Sequence, residues 1–408
     1  MSYQLDAAAI GRTETYFARI GGCLRDKRKR ESFAMYAYGI LGDGERKSAE
    51  PIAARACGNP EEMEHTHGKL LHFLSRAAWD DHAVRRVAAG YAIEALRARG
   101  EAVTAWVIDD TGFLKQGACS VGVQRQYTGS AGKIANCQVA VSLSVATRTE
   151  HLPIDFALYL PRDWTDDPAR RRATKIPDEI QFQTKTELAL GMIEQAVRDG
   201  IPGDVVLADS AYGDSHVFRE TVRILGLDYA VGVHAPTTVW RLDSRNRRRG
   251  APIGAQALGL EVGPKAFRRV TWREGTQGRL SSRFYFERVK VACDDGLDPA
   301  EREPIWLCIE WPDGEAKPTK LTLTTLPRRM SKKQIVRTVK ERWRTERVYE
   351  EMKGELGLDH FEGRSFVGWN HHVSVVICCF AFVVAERVRH FPPSVGREGA
   401  SGSIGLAA

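Results

Sequence analysis

Three familiar signatures are missing from this sequence of 408 residues. Its eight cysteines form no CxxC pair and no regular framework, so we expect neither a disulfide scaffold nor a zinc site. No P-loop or Rossmann glycine fingerprint is present, which disfavours nucleotide hydrolysis. The most apolar run, Val373 to Ala385, is shorter than the roughly 20 residues that a membrane-spanning helix needs. We therefore expect a cytoplasmic protein without membrane contact, in which this run forms a buried helix.

The composition is that of a soluble globular protein, with 43% hydrophobic and 27% charged residues. The length predicts two or three domains rather than one. The formal net charge is +7 and the pI is about 9.0. This balance is compatible with a polyanionic partner but does not identify one.

The residue pattern changes along the chain in a way that predicts an α/β protein with two added regions. The first region shows helical patterns and no convincing strand, with Gly- or Pro-marked joints between several of the helices. The next gives three strands, a helix, a strand, a helix and a strand, before a β-rich segment interrupts the order. The predicted boundaries are 1–98 for a helical N-terminal domain, 99–234 and 329–392 for the two parts of an α/β domain, 235–328 for a β-rich insertion, and 393–408 for a disordered tail.

Acidic residues stand out at three places in the α/β part. Asp109 and Asp110 end the predicted first strand, Asp209 follows a short buried strand, and Glu346 lies on a predicted helix. Open α/β sheets place their chemistry at the ends of strands. A single Asp there is more often a turn or cap residue, but three places able to converge on one sheet edge indicate a functional site.

The helix that carries the third acid is predicted for residues 331–354. This stretch contains no Pro, its first Gly is at 354 and Ser331 suits an N-cap, so about six helical turns are expected. One face begins apolar and ends with a carboxylate between two cations, although a salt-bridged surface helix would explain that pattern equally well. The residues on this face are Val339, Arg342, Glu346, Tyr349 and Lys353.

Carboxylates that converge without His or Cys provide hard oxygen ligands, which suit Mg²⁺ or Mn²⁺. Two such ions ~3.5–4 Å apart activate a water or a 3′-hydroxyl and stabilise the leaving oxygen during in-line attack on phosphorus. Arg342 and Lys353 would neutralise phosphate charge beside them. This combination indicates a polynucleotidyl transferase.

Several blocks of the chain resemble an insertion-sequence DDE transposase with an RNase H-like catalytic domain. Within the last block, Arg342, Glu346 and Lys353 keep the spacing of the family's Y-R-E-K signature, whereas Val339 stands at the position of the Tyr. The blocks are VIDDTGFLKQG (107–117), SVGVQRQYTGSAGKIANCQVAVSL (120–143), VLADSAYGD (206–214) and ERWRTERVYEEMKGELGLDHFEGRS (341–365).

The resemblance implies a catalytic and metal-binding triad of Asp110, Asp209 and Glu346, with two Mg²⁺ or Mn²⁺ ions as cofactors. Asp109 is the alternative to Asp110 for the first position. Adjacent residues on a strand point to opposite faces, so the two cannot be equal ligands. We favour Asp110, the acid that precedes Thr111.

Basic residues in several segments are candidates for contacts with the DNA backbone. A solvated surface or a structured loop is the ordinary alternative for such clusters. The candidates are Arg28, Lys29 and Arg30 near the N-terminus, Lys115, Arg125 and Lys133 after the first acid, Arg247 and Arg248 in the insertion, Arg342 and Lys353 on the signature helix, and Arg364 beyond it.

The function expected from this reading is that of a DNA transposase that binds terminal inverted repeats, cleaves the element ends and transfers strands. Its implied partners are double-stranded DNA, as element ends and target, and a second copy in a homodimeric DNA complex. Its N-terminal helices would bind DNA, and its implied location is the nucleoid in a bacterial-type cytoplasm. Two alternatives remain open, a catalytically silent DNA-binding repressor derived from a transposase and a structure-specific nuclease without strand transfer.

Overall fold

Helices build the N-terminal region, as predicted. The computed structural model describes residues 7–275, 278–292 and 302–390, so the expected tail, 393–408, lies outside the described residues. Short polar side chains begin three of the five helices, because the carboxylates of Asp26 and Asp80 and the amide oxygen of Asn59 accept hydrogen bonds from first-turn N–H groups. The helices are α1 (Ala7–Gly21), α2 (Lys27–Leu41), α3 (Ala49–Ala56), α4 (Pro60–Ser75) and α5 (Asp81–Ala98).

The central sheet has the strand order of an RNase H-like domain. Its five core strands lie in the order β4-β3-β1-β5-β6, of which β4, β3 and β1 are antiparallel while β1, β5 and β6 are parallel. The predicted α/β class is therefore confirmed. The strands are β1 (Ala105–Leu114), β2 (Gln124–Thr128), β3 (Lys133–Ala146), β4 (His151–Leu158), β5 (Val205–Ala208) and β6 (Asp228–Val233).

Five helices lie along the chain between β4 and β6, and two of them, α8 and α10, pack on one face of this sheet and against each other. The longest of them begins with a reciprocal cap, in which Thr184 and Glu187 bond to each other's backbone N–H groups. This cap sets where the helix begins, and its first residue, Lys185, lies beside β1, where it contacts Asp110. The helices are α6 (Arg162–Thr165), α7 (Pro168–Thr174), α8 (Lys185–Arg198), α9 (Ser210–Gly213) and α10 (His216–Ile224).

The first strand is longer than the sequence predicted. We expected it to end at the two acids, but β1 continues to Leu114 because its ten residues all pair with β3. Asp109 and Asp110 therefore lie within the strand. Their side chains must leave it on opposite faces.

The predicted insertion continues the central sheet. Strand β12 pairs with β6, and the sheet then runs through β11, β10 and β7 to β8. The sequence did not predict β8 or α11, because the basic and Gly-containing β8 segment lacks the alternation of a half-buried strand. The elements are β7 (Thr238–Leu242), β8 (Arg248–Gly254), α11 (Ala255–Val262), β9 (Arg268–Gly275), β10 (Gly278–Val291), β11 (Ile305–Trp311) and β12 (Lys320–Thr324).

The signature segment is two helices rather than the single helix that we predicted. Ser331 does form the N-terminal cap, with Gln334 as its partner, and α12 (Lys332–Lys340) follows. A 3₁₀ turn at Glu341–Trp343 then separates α12 from α13 (Arg344–Gly354). Turns of this tighter kind inside a helix often mark functional positions.

The last described element is the core helix α14 (Phe366–His390). Among the described residues it is the one helix long and apolar enough to cross a membrane, yet 83% of its most apolar window is buried within the protein. It packs against α5, α2, α4 and β4. The predicted buried helix is confirmed.

Candidate active site

Two acids come together where β1 and β5 run side by side. Val107 pairs with Leu207 across the two parallel strands, and both side chains belong to the apolar cluster that Ile335 of α12 completes. Two residues further along β1, alternation brings Asp109 to this same face. Asp209 follows the last residue of β5 with an extended backbone and lies near enough for its charge to act on Asp109. The Asp209 carboxylate also accepts a hydrogen bond of 2.9 Å from the backbone N–H of Ala211.

Asp109 is buried beside a cation from the signature segment. The Arg342 guanidinium lies 3.0 Å from its carboxylate, measured from Nη1 to Oδ2. Burial raises the pKa of Asp109 to about 6, an effect that Arg342 opposes and the charge of Asp209 increases. The effect of burial on this carboxyl thus outweighs the stabilising charge of Arg342.

Asp110 has different neighbours because its side chain leaves the opposite face of β1. Its Oδ2 lies 2.8 Å from the ammonium of Lys185, the first residue of α8. Asp209 lies on the other face, next to Asp109. We chose Asp110 from the sequence, but its side chain lies on the face of β1 opposite to the one that Arg342 contacts.

Glu346 lies in the first turn of α13 and is exposed. Burial disfavours the charge on Arg342, but Asp109 and Asp209 outweigh this, with smaller contributions from Tyr349 and Glu346, so the pKa of Arg342 is raised. No three His, Cys, Asp or Glu side chains in the described residues lie close enough together to hold a metal ion. Two of the predicted acids are thus neighbours, while Glu346 remains further away.

Three side chains on one face of the signature segment contact β1 or β3. Besides the contact of Arg342 with Asp109, the Tyr349 hydroxyl lies 2.5 Å from that of Ser142, which is paired with Asp109 across the strands. The third is Lys353, whose ammonium donates to the Thr111 hydroxyl at 2.8 Å, to the Gly112 carbonyl at 2.7 Å and to the Ser130 hydroxyl at 3.1 Å. The face that the sequence selected is the face that docks.

The position of the missing signature Tyr is apolar in the structure too. Val339 packs against the cluster around Val107 and Leu207. Trp343 lies in the 3₁₀ turn and is 44% exposed, and the Arg273 guanidinium carbon stands 4.6 Å from the centre of its ring.

The other predicted DNA contacts divide into two groups. Lys115 is half-buried, and its ammonium donates to the Phe361 carbonyl at 2.8 Å, so this side chain has a partner inside the protein. Lys29 is half-buried and donates to the carbonyl of Ala78 at 2.7 Å. The exposed candidates are Arg28, Arg30, Arg125, Lys133, Arg247, Arg248 and Arg364.

Sequence reasoning missed four polar partners of the site. Thr111 and Ser130 accept from Lys353, Ser142 bonds to Tyr349, and Lys185 pairs with Asp110. No local signal marks Lys185 or Ser142, since each acquires its partner only through packing of distant segments. Ser130 lies in a Thr-Gly-Ser-Ala-Gly turn, whose composition predicts a tight loop but not a contact.

An RNase H-like sheet with paired acids on adjacent strands defines a class of enzymes that act on nucleic acids, and the comparisons specify it. A family model described as "DDE superfamily endonuclease" matches residues 19–279, and one described as "Transposase DDE domain" matches residues 183–382. The chain belongs to the DDE superfamily of endonucleases and is an enzyme of the DDE transposase type. The resemblance drawn from the motif blocks is confirmed. Members of this superfamily generally use divalent metal ions.

A curated relative supports the same assignment. The chain is 29% identical over 211 residues to a probable transposase for insertion sequence element IS701 from Microchaete diplosiphon. The match covers 52% of this chain and 50% of the relative, so the chain spans about half the length of this relative. Among solved structures, a piggyBac transposase synaptic complex with hairpin DNA matches at a TM-score of 0.44 with 11% identity, over 88% of this chain and 66% of that one.

Proposed function

We propose that this protein is a DNA transposase that binds the terminal inverted repeats of its element, cleaves the element ends and joins the freed 3′-hydroxyls to target DNA. The observation that carries the proposal is the pairing of Asp109 and Asp209 on one sheet face, under the Arg342 of a Y-R-E-K-type segment. The curated relative is a probable transposase of an insertion sequence, which agrees with it.

The catalytic acids in this proposal are Asp109, Asp209 and Glu346. We assign the first position to Asp109, the alternative in our sequence analysis, because Asp109 shares a face with Asp209 and with the signature segment. Asp110 has its own counterion in Lys185. Its proposed role is to hold β1 against α8.

The chemistry of the three donors suits a divalent metal ion, and Glu346 would have to approach Asp109 and Asp209 to complete the site. All three groups are carboxylates, the ligands that Mg²⁺ and Mn²⁺ prefer. Burial is the main cause of the raised pKa of Asp109, and a cation beside this carboxylate would favour its charged form. Two ions held by these acids would supply the activation of the attacking oxygen and the stabilisation of the leaving oxygen. Asp109 must lose its proton before it can act as a ligand.

The cations of the signature segment have two proposed tasks. Arg342 holds Asp109 in place, and its planar guanidinium can also pair with a phosphate through two hydrogen bonds. Lys353 ties α13 to β1 through Thr111 and Gly112, next to the strand that carries the acid. Both side chains thus position the reacting groups and bring positive charge to a polyanionic substrate.

The proposed partners are double-stranded DNA, both as element ends and as target, and a second copy of the chain in a homodimeric DNA complex. The seven exposed basic side chains named above support contact with phosphates. The helical N-terminal region, which carries Arg28 and Arg30, is the proposed DNA-binding domain. The proposed location is the nucleoid in a bacterial cytoplasm.

One assay tests the function against its two alternatives. Purified protein is incubated with labelled terminal-repeat DNA, Mg²⁺ and a supercoiled target plasmid, with Asp209→Asn as the control. We expect cleaved ends and a joined product from the parent chain and neither from the variant. Cleavage without joined product would support a nuclease, and binding without cleavage would support a repressor.

A further inference from the structure

The hairpin formed by β2 and the start of β3, residues 124–137, exposes two large apolar side chains side by side. Tyr127 and Ile134 are cross-strand partners, and they are 64% and 60% exposed. Directly opposed aromatic and β-branched residues pack against each other on one face of a ladder. The hairpin therefore presents one continuous apolar surface to solvent.

The tip of this hairpin is attached to the candidate active site. The Ser130 hydroxyl lies 3.3 Å from the Gly112 N–H group and accepts a bond of 3.1 Å from Lys353. A Cβ at residue 112 would lie 1.9 Å from the Thr128 hydroxyl oxygen, so only glycine permits this approach. The apolar pair is thus held close to the strand that carries Asp109.

A cation accompanies the pair on its own face. Arg125 is exposed and two residues from Tyr127 in the same strand, so its side chain leaves the hairpin on the side of Tyr127 and Ile134, whereas Lys133 faces the other way. No Asp or Glu occurs in the sequence between Thr111 and Thr149. An apolar surface with a cation beside it matches a nucleobase attached to a phosphate backbone.

We propose that Tyr127 and Ile134 form a stacking platform for an unpaired nucleobase at the DNA end held in the site. The inference rests on the proposed function, because it takes the DNA end as its ligand. The phenol ring would stack on the base, the Ile134 side chain would support the ring, and Arg125 on the same face would pair with the adjoining phosphate. Stacking is tolerant of base identity, so the platform recognises an unpaired end rather than a sequence.

The test compares two DNA probes, a short blunt duplex and the same duplex with a few unpaired nucleotides at one end. A 2-aminopurine at the unpaired position reports stacking through quenching of its fluorescence. We expect the parent protein to bind the unpaired end more tightly and to quench the probe. Tyr127→Ala should weaken binding of the unpaired end about 5- to 150-fold, the range for loss of one stacked ring, while binding of the blunt duplex changes little.

Matched variants separate stacking from folding and charge. Tyr127→Phe keeps the ring and should keep both the preference and the quenching, and Ile134→Ala should lose part of each. Ile224→Ala removes an 82% exposed side chain from α10 and should change neither. Circular dichroism of each variant checks that the fold is intact.

The possible outcomes test the stacking platform separately from the proposed transposase function. Equal binding of the two probes by the parent protein, or an unchanged preference in Tyr127→Ala, would overturn the platform even if the ends are cleaved. A preference for the unpaired end that Tyr127→Ala abolishes supports the platform. If the parent protein shows this preference but cleaves no terminal-repeat DNA, the platform stands and only the proposed transposase activity fails.

Discussion

The two faces of β1 give the neighbouring residues Asp109 and Asp110 very different surroundings. On one face Asp109 lies beside Asp209 and under Arg342, and Thr111 accepts from Lys353. On the other face Asp110 pairs with Lys185 at the start of α8. The contacts of Arg342 and Lys353 with side chains of β1 lie on the first face.

This difference shows how one strand separates chemistry from support. On the Asp109 face a carboxylate is buried close to a second acid, so its charged form costs free energy that Arg342 offsets only in part. The Asp110 face holds one acid and one cation, an arrangement that stabilises the joint between strand and helix. Costly charge is expected at functional sites, whereas a balanced pair is typical of structure.

The largest expected difference between the faces is catalytic. Asp109→Asn should reduce cleavage of terminal-repeat DNA by roughly a thousandfold, equivalent to ~4 kcal/mol of transition-state stabilisation, because the amide is a poor ligand for a divalent ion. Asp110→Asn, the matched control, should keep cleavage within about tenfold of the parent rate. Single-turnover cleavage in Mg²⁺ measures both. The reverse order would restore Asp110 as the catalytic acid.

The signature segment provides a second matched pair. Glu346 and Glu350 are both exposed on α13, one turn apart, so replacing either with Gln should leave stability and DNA affinity nearly unchanged. Glu346→Gln should lower the cleavage rate by about a hundredfold or more, since it removes the proposed third acid, whereas Glu350→Gln should not. Cleavage rates and filter binding of the two variants decide this. Retained cleavage by Glu346→Gln would remove that residue from the proposed triad.

The pH dependence of protein stability also distinguishes the two faces of β1, and its measurement needs no cleavage assay. The folded metal-free protein keeps a proton on Asp109 up to pH values where the unfolded chain has lost it, since the pKa is raised from 3.8 to about 6. The stabilising contribution of the protonated Asp109 is fully present below about pH 4 and is lost as pH rises through about 6. This loss lowers the free energy of unfolding by ~3 kcal/mol.

Denaturant titrations between these pH values measure the effect. The parent chain and Asp110→Asn should both lose stability as pH rises across this window. Asp109→Asn should lack that component, because its amide does not titrate. Identical pH profiles for Asp109→Asn and the parent chain would contradict the assigned burial of Asp109.

Much of this arrangement could be predicted from the sequence, because it depends on local patterns. The cap at Ser331, the buried α14 and the docking face of Arg342, Tyr349 and Lys353 follow from capping chemistry and helical periodicity. The three acidic positions follow from the ends of apolar runs and from the signature spacing. Each signal is contained in a few turns or one strand.

The remaining features depend on contacts between distant segments. Alternation shows that Asp109 and Asp110 face opposite ways, but which face receives α12 is decided by packing around Ile335. The 3₁₀ turn at residues 341–343 contains no Gly or Pro, so no local signal marks it. Strand β8 exists only through its pairing with β7. Resemblance to a family pointed to the pair of acids but could not orient them.

The smallest expected difference concerns the two ion pairs themselves, measured as free energies of unfolding without metal at pH 7.5. The Arg342–Asp109 pair is the more buried, with side chains 29% and 14% exposed, against 33% and 26% for Lys185–Asp110. Removing one partner of a buried pair leaves an uncompensated charge, so Arg342→Gln should cost about 2 kcal/mol. Lys185→Gln should cost less than about 1 kcal/mol, because water solvates the carboxylate that remains. At pH 5 the cost of Arg342→Gln should shrink, since Asp109 is then protonated and needs no counterion. Equal costs for the two variants, or a cost for Arg342→Gln that does not change with pH, would mean that the two faces of β1 hold their acids in the same way.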